Sequence, residues 1–158
     1  ELRQMMQETP KSITNEERLM IHHVLDLLHR LAADIMTPMD KVCMVASKTP
    51  VREVLDLRRE RGFSRYLVFK MEGGRRRVLG FVNIKQLLYL ENLDVEKSVS
   101  DYLKPALYLE GNLHLDMVLK QMQRTGHRLA IVLGSDRTEV GIVSLTDVLS
   151  SIFGEVRL

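Results

Sequence analysis

The chain has 158 residues, enough for one domain or for two small interlocked halves. Hydrophobic residues make up 45% and charged residues 28%, an ordinary balance for a soluble globular protein, and the net charge of +2 is too small to predict a nucleic-acid surface. Trp is absent and no apolar run approaches the roughly 20 residues that span a bilayer, which argues against a stacking platform and a membrane span.

The first predicted element is a helix over residues 14–31, where Thr14 and Glu17 have the spacing of a capping box. Three potential metal ligands share another face of this helix: His22, Asp26 and His29. Because closed metal sites need ligands that converge from several elements, we interpret this face as solvated.

A proline after Thr37 ends helical structure there. The elements predicted next are a strand over 42–46, a helix over 51–61 closed by Gly62, strands over 66–69 and 78–82 joined by a turn over 72–74, and a helix over 84–90. Arg75, Arg76 and Arg77 lie at the hairpin, where the pattern favours a solvated loop and leaves an anion or partner contact open.

The same pattern then starts again. Asp101 to Pro105 repeats the layout of Asp34 to Pro38, and Gly141 to Asp147 matches Gly80 to Gln86. The sequence therefore predicts an α/β (α+β) fold made of a tandem β-α-β-β-α repeat, preceded by an N-terminal helix. Each half is too small to bury a good core alone, so we expect the halves to pack with pseudo-twofold symmetry around a cleft.

Ser144 and Asp147 stand where a buried strand runs directly into a helix. One interpretation is a capping box, with Asp147 in place of the usual Glu or Gln. The other is a ribose clamp, in which a carboxylate at a helix start accepts hydrogen bonds from both hydroxyls of a cis-diol. The first half has Asn83 and Gln86 at these positions, so capping suits both halves whereas a charged clamp suits only the second.

Four motifs stand in order along the chain: Asp34-Ile35-Met36-Thr37-Pro38, Gly62-Phe63-Ser64-Arg65, Gly126-His127-Arg128-Leu129-Ala130-Ile131-Val132 and Gly141-Ile142-Val143-Ser144-Leu145-Thr146-Asp147-Val148-Leu149. In this order they resemble a cystathionine-β-synthase (CBS) domain pair, or Bateman module, over about residues 33–153. More narrowly, the chain is similar to the CBS pair of the CorC/HlyC and cyclin M family of membrane magnesium and cobalt transport proteins.

The resemblance implies domain boundaries and a role. Residues 1–32 would form a linker helix, 33–92 the first CBS motif and 93–158 the second. The module would bind an adenine nucleotide, ATP or AMP, with magnesium possible, and modulate a magnesium or cobalt efflux protein from its cytoplasmic side. A ligand-free dimerisation module is the alternative. We expect a homodimer through the CBS helices, contact with the membrane domain of the parent protein, and no nucleic-acid partner.

The resemblance also implies a set of site residues. Asp147 would hold the ribose hydroxyls, Ser144 would contact sugar or phosphate, and Arg65 could reach a phosphate. The remaining residues implied in the pocket are Thr37, Phe63, Ser64, Ala130 and Ile142. We expect one working site per chain, no resident metal site of protein ligands, and no enzymatic activity, because the motifs of phosphate-binding loops, zinc proteases and nucleophile elbows are missing from the sequence.

Overall fold

A computed structural model describes residues 13–153; the first 12 residues of the predicted linker segment lie outside this range. The helices are α1 (Asn15–Leu28), α2 (Ala32–Ile35), α3 (Val51–Arg61), α4 (Ile84–Leu88), α5 (Leu115–Thr125) and α6 (Leu145–Phe153). The strands are β1 (Thr37–Pro38), β2 (Met44–Ala46), β3 (Arg65–Glu72), β4 (Arg75–Asn83), β5 (Leu107–Glu110), β6 (Leu129–Leu133) and β7 (Glu139–Ser144). Short 3₁₀ turns cover Met39–Lys41 and Val99–Tyr102.

The chain divides into two compact units. The central unit is the continuous stretch Pro38–Leu107, and the terminal unit combines residues 13–37 with residues 108–153 of the described range. The order β2-α3-β3-β4-α4 in the central unit recurs as β5-α5-β6-β7-α6. The predicted repeat of a β-α-β-β-α element is therefore confirmed.

The central unit is built on a three-stranded sheet in the order β2-β3-β4. Strand β2 runs parallel to β3, which pairs antiparallel with β4. Branched and aromatic side chains at period two along the strands face the helices and fill the core. That core consists of Val45, Val51, Val54, Tyr66, Val68, Val82, Ile84, Leu87 and Val99.

The terminal unit is built on a four-stranded sheet in the order β1-β7-β6-β5. Strands β6 and β7 are antiparallel, and α1 and α5 both pack against α6. Its most deeply buried side chains include Ala32, Leu115, Val118, Met122, Leu129, Ala130, Ile131, Val132, Val143, Val148 and Ile152. Strand β1, from the start of the chain, thus completes a sheet whose other strands all come from its last third.

Helix α1 begins as the sequence predicts and ends earlier. Thr14 and Glu17 exchange side-chain to backbone hydrogen bonds of 3.1 and 3.4 Å, so the capping box is confirmed. The helix stops at Leu28, not at residue 31, because Leu31 instead forms a β-bridge with His114. Within residues 13–153, no helix combines the length and the apolar character that crossing a bilayer requires.

Both long helices of the repeat end at a glycine. Gly62 follows α3 with φ of 77° and Gly126 follows α5 with φ of 74°, the left-handed conformation that favours glycine. In each case the glycine N–H donates to the carbonyl four residues earlier, Arg58 and Met122 respectively. These caps return the chain from helix to strand at matching points of the two halves.

Candidate functional site

The start of α6 is closed by a reciprocal pair of hydrogen bonds. The Ser144 N–H donates to Asp147 Oδ2 over 3.1 Å, and the Asp147 N–H donates to Ser144 Oγ over 3.0 Å. This is the capping-box geometry that the spacing of the two residues predicts. Ser144 is buried, with 2% of its surface exposed, whereas Asp147 is half-buried.

The capping role leaves part of each side chain available. Among residues 13–153, only Oδ2 of the Asp147 carboxylate takes part in a hydrogen bond, so Oδ1 retains its capacity to accept. The Ser144 hydroxyl accepts from Asp147, and its own O–H remains a donor. Capping and ligand binding are therefore compatible at this helix start, because they use different lone pairs and protons.

Thr37 belongs to the same sheet as Ser144. Strand β1 is the neighbour of β7, and the approach of the two backbones is close at Gly141. A Cβ atom at Gly141 would lie 2.6 Å from the Thr37 carbonyl oxygen and 2.7 Å from Met36 Sδ. Glycine at this position therefore allows the Thr37 segment to lie along β7, three residues before Ser144.

The two apolar residues predicted in the pocket differ in their surroundings. Ala130 opposes Val143 across the β6–β7 ladder and is fully buried. Ile142 opposes Ile131 and is half-buried. Since successive residues of a strand point to opposite faces, Ile142 shares a face with Ser144, and Ala130 lies on the other face with Val143. Ile142 is thus the better placed of the two for contact with a ligand at Ser144.

The remaining predicted residues lie in the central unit. Phe63 is 47% exposed in the loop that follows α3, and Arg65 opens β3 opposite Asn83. The Ser64 carbonyl accepts the Ile84 N–H over 2.7 Å, which ties this loop to the start of α4. Phe63, Ser64 and Arg65 are therefore neighbours of the helix start in the first half of the repeat.

The corresponding loop of the terminal unit contains two residues, His127 and Arg128, that are not among those predicted for the site. The Arg128 carbonyl accepts the Leu145 N–H over 2.9 Å, so His127 and Arg128 border the start of α6. Within the described part of the chain, His127 Nδ1 is buried and has no hydrogen-bond partner. The signal was available: Gly126-His127-Arg128 matches Gly62-Phe63-Ser64 in the repeat.

The helix start of the first half has different chemistry. The Asn83 side chain accepts the Lys85 N–H over 3.1 Å, whereas the Gln86 side-chain oxygen accepts from the Lys104 ammonium group. Lys104 stands at the position of Thr37 in the repeat, and its backbone bridges to Phe81. These side chains line a cleft of about 320 Å³ together with Leu87, Leu90, Tyr102 and Leu103.

A second cleft, of about 600 Å³, lies in the terminal unit, at the end of β6 and β7 that is opposite to the start of α6. Its lining includes Gly111, Gly134 and Arg137 and none of the eight residues predicted for the nucleotide site. No group of three or more metal-ligating side chains converges anywhere in residues 13–153.

Comparison with known proteins gives the family. The CBS domain model matches residues 32–91 and 99–154. The polyamine export protein of Haemophilus influenzae is 27% identical over 91% of this chain and 33% of its own length. The magnesium and cobalt efflux protein CorC of Salmonella typhimurium is 26% identical over 91% of this chain and 49% of its own length.

A solved structure supports the same assignment. The CBS domain of the bacterial CNNM/CorC family Mg²⁺ transporter, in complex with ATP, is 28% identical with a TM-score of 0.75, and covers 89% of this chain and 99% of that one. The chain spans about a third of the length of the first curated relatives that it matches. With two matched segments over most of its length, the chain belongs to the CBS domain family, as a pair of CBS domains like those of the CNNM/CorC magnesium transporters.

Proposed function

We propose that this chain is the regulatory CBS pair of a membrane transport protein and that it binds an adenine nucleotide at the start of α6. The single observation that carries the proposal is the half-used carboxylate of Asp147, which caps the helix through Oδ2 and leaves Oδ1 able to accept a hydrogen bond. A similar CBS domain was solved with ATP, which supports the choice of an adenine nucleotide.

The proposed contacts follow from the local chemistry. Asp147 accepts from the ribose hydroxyls, since charged acceptors make the stronger hydrogen bonds to a diol. Ser144 donates its hydroxyl proton to the sugar or phosphate, while the amide groups at the helix start favour negative charge. Thr37 and Ile142 contribute the wall of the pocket along β7, with Ala130 supporting the strand from its buried face.

Three further nucleotide contacts are proposed from the residues that the family resemblance implies. The half-exposed ring of Phe63 suits packing against a base, and the Arg65 guanidinium suits a phosphate, for which its planar set of donors is well matched. Ser64 is assigned to the same loop, with its carbonyl fixed by Ile84. Magnesium would accompany the nucleotide, bound by phosphate oxygens and water, as this ion prefers.

One nucleotide per chain is the proposed stoichiometry. At the first helix start, Gln86 replaces the carboxylate and already accepts from Lys104. A neutral amide in that position cannot make the charge-assisted contact with a diol. The two helix starts of the repeat are therefore proposed to have diverged, with only the second retained for binding.

The parent protein is proposed to be a magnesium and cobalt efflux protein, with this module on its cytoplasmic side as a homodimer that contacts the membrane domain. The family and the relatives point to a regulatory module without catalysis. Because another relative is named a polyamine export protein, the identity of the transported cation is itself part of the proposal. A dimerisation module without a ligand is the competing function.

Calorimetric titration of ATP and of AMP, each with and without magnesium, tests the proposal. Saturable binding of about one nucleotide per chain, abolished or strongly weakened by Asp147→Asn, is the expected result. Flat heats at millimolar concentrations of both nucleotides would overturn nucleotide sensing and leave the dimerisation module as the function.

A further inference from the structure

The hairpin formed by β3 and β4 extends beyond the sheet to which it belongs. Strand β2 pairs with β3 only as far as Phe69, whereas the β3–β4 ladder continues to the pair Glu72 and Arg75. At about 3.3 Å per residue, the last three residues of β3 and the first three of β4 project roughly 10 Å past the third strand. We call the residues Lys70–Glu72 and Arg75–Arg77 the basic ribbon.

The turn of the basic ribbon favours a regular two-stranded end. Gly73 and Gly74 have φ of 57° and 77°. Two successive residues with positive φ are typical of the tight hairpin turn whose twist matches that of the strands. The charged residues of the ribbon are therefore held in a defined ladder.

Positive charge is concentrated on the basic ribbon. Four cationic side chains against the single carboxylate of Glu72 leave +3, more than the +2 of the whole chain. Glu72 lies 3.0 Å from Arg77 and 3.7 Å from Lys70. Among residues 13–153, no carboxylate pairs with Arg75 or Arg76, so two guanidinium groups remain available for an external anion.

An apolar side chain lies among these charges. Met71 is 60% exposed and is the cross-strand neighbour of Arg76, whose guanidinium carbon lies 4.9 Å from the centroid of the Phe69 ring. The ribbon tip therefore presents an exposed thioether beside cationic groups. Basic and apolar side chains side by side suit the boundary between lipid headgroups and acyl chains.

The second half of the repeat shows that the fold does not require a basic ribbon. There the ladder ends at the pair Leu133 and Glu139, and the turn contains Asp136 and Arg137. Arg137 lies 3.9 Å from Glu110 of β5. The longer and more basic hairpin is thus particular to the first half, which argues for a function of its own.

We propose that the basic ribbon binds a bilayer surface rich in acidic phospholipids. Arginine forms paired hydrogen bonds with phosphate oxygens, and each cationic residue near such a surface contributes about 1 kcal/mol. The ribbon has no aromatic platform at its tip for nucleic-acid bases, and its exposed Met71 is better suited to lipid than to an acidic peptide. The inference depends on the membrane setting of the proposed function but not on nucleotide binding.

Sedimentation with lipid vesicles tests this proposal on the whole chain. Phosphatidylcholine vesicles that contain about 30% phosphatidylserine should bind the chain at low salt, and pure phosphatidylcholine vesicles should not. Binding should fall as salt rises to about 0.5 M, because surface charges are then screened. Replacing the two arginines that pair with no carboxylate in residues 13–153, as Arg75→Gln with Arg76→Gln, should reduce partitioning about 30-fold.

The chain offers a matched control. Arg59→Gln with Arg61→Gln removes the same charge from exposed positions in the last turn of α3 and should leave vesicle binding nearly unchanged. Met71→Ser should weaken binding about tenfold through lost apolar contact. ATP calorimetry on the Arg75 and Arg76 double variant should match the parent chain, which separates this inference from the nucleotide site.

Several results would overturn the proposal. Equal binding to neutral and acidic vesicles would show that charge does not drive binding. An equal loss of vesicle binding in the control variant would show that the ribbon is not the binding surface. Ribbon-dependent binding to polyglutamate without binding to acidic vesicles would assign the surface to an acidic protein segment.

Discussion

The Asp147 carboxylate and the Ser144 hydroxyl each accept the other residue's backbone N–H at the start of α6, over 3.1 and 3.0 Å. This exchange satisfies two donors that would otherwise lack partners, so both side chains have a structural reason to be present. A functional role for Asp147 has to be separated from its role as a cap, and a single substitution can do so.

Asp147→Asn should keep most of the cap, because an amide oxygen still accepts the Ser144 N–H, at a cost of about 1 kcal/mol or less in the free energy of unfolding. It should weaken nucleotide binding about 10- to 100-fold, through loss of a charged acceptor for the diol. Calorimetry and thermal melting of the same preparation measure both quantities.

Asp34→Asn is the matched control for that substitution. The Asp34 carboxylate accepts the Leu31 N–H over 3.0 Å at the start of α2, in the same unit. Its replacement should cost a similar amount of stability and leave affinity unchanged. A lower melting temperature with unchanged affinity in Asp147→Asn would mean that Asp147 acts only as a cap.

Gly141→Ala tests the close approach of β1 to β7. The added Cβ would meet the Thr37 carbonyl oxygen at 2.6 Å, a backbone atom that cannot move without displacing the strand. We expect a loss of about 1–3 kcal/mol in the free energy of unfolding, and weaker nucleotide binding as Thr37 shifts. Denaturant titration and calorimetry check the two effects.

Gly126→Ala provides the comparison for Gly141→Ala. An added Cβ at Gly126 has no heavy atom within 4 Å among the described residues, so its cost arises from φ of 74° and should be about 1–2 kcal/mol. Affinity should be retained in this variant. Full stability in Gly141→Ala would refute the close approach.

Tyr66→Phe should raise the free energy of unfolding by up to about 1 kcal/mol or leave it unchanged. Tyr66 is 1% exposed, and its hydroxyl is buried without a hydrogen-bond partner in residues 13–153. Removing an unsatisfied buried hydroxyl avoids its desolvation penalty. In contrast, Tyr102→Phe should cost about 1 kcal/mol, because the Tyr102 hydroxyl accepts the Asp94 N–H over 3.1 Å.

Tyr66→Phe should also change how the free energy of unfolding depends on pH in alkaline solution. Burial, followed by the nearby Cys43, raises the pKa of Tyr66 above its usual 10.0. The folded chain therefore holds this proton more tightly than the unfolded chain. The contribution of the protonated Tyr66 to stability is fully present below pH 10 and is lost as pH rises towards the folded pKa. Tyr66→Phe should make that decline shallower in denaturant titrations; an unchanged decline would contradict the assignment.

Arg77→Gln should raise the pKa of Glu72. The Arg77 guanidinium, hydrogen-bonded to Glu72 at 3.0 Å, is the main cause that holds this pKa below its usual 4.5, with Lys70 a smaller one. The Glu72 contribution to stability is therefore present at neutral pH and declines as pH falls through the folded pKa. Carboxyl carbon NMR titration measures the shift, which should be smaller in Lys70→Gln.

Local signals made much of this fold predictable. The capping box of Thr14, the glycine after α3 and the turn before Arg75 each depend on residues within a few positions of one another. The repeat was also legible, because its motifs recur in order. Caps and turns, which depend on residues close together in the chain, therefore lie where the sequence predicts them.

The composition of the site was harder to predict. Thr37 and Ser144 are more than a hundred positions apart, and no periodicity reveals that β1 joins β7 in one sheet. The role of Gln86 also differs from expectation: its side chain, expected to cap α4, instead accepts from Lys104. Both outcomes arise from pairing between distant segments, which local propensity does not encode.

The discontinuity of the terminal unit has a consequence for synthesis on the ribosome. All of Pro38–Leu107 is synthesised before the strands that complete the sheet around β1, so the central unit can become compact while residues ahead of it still await their partners. Closing the terminal unit then requires bringing together segments separated by a loop of about 70 residues, whose entropic cost is smaller once that loop is already compact. Released chains that end within β6 should therefore be more resistant to protease over residues 38–107 than around Thr37.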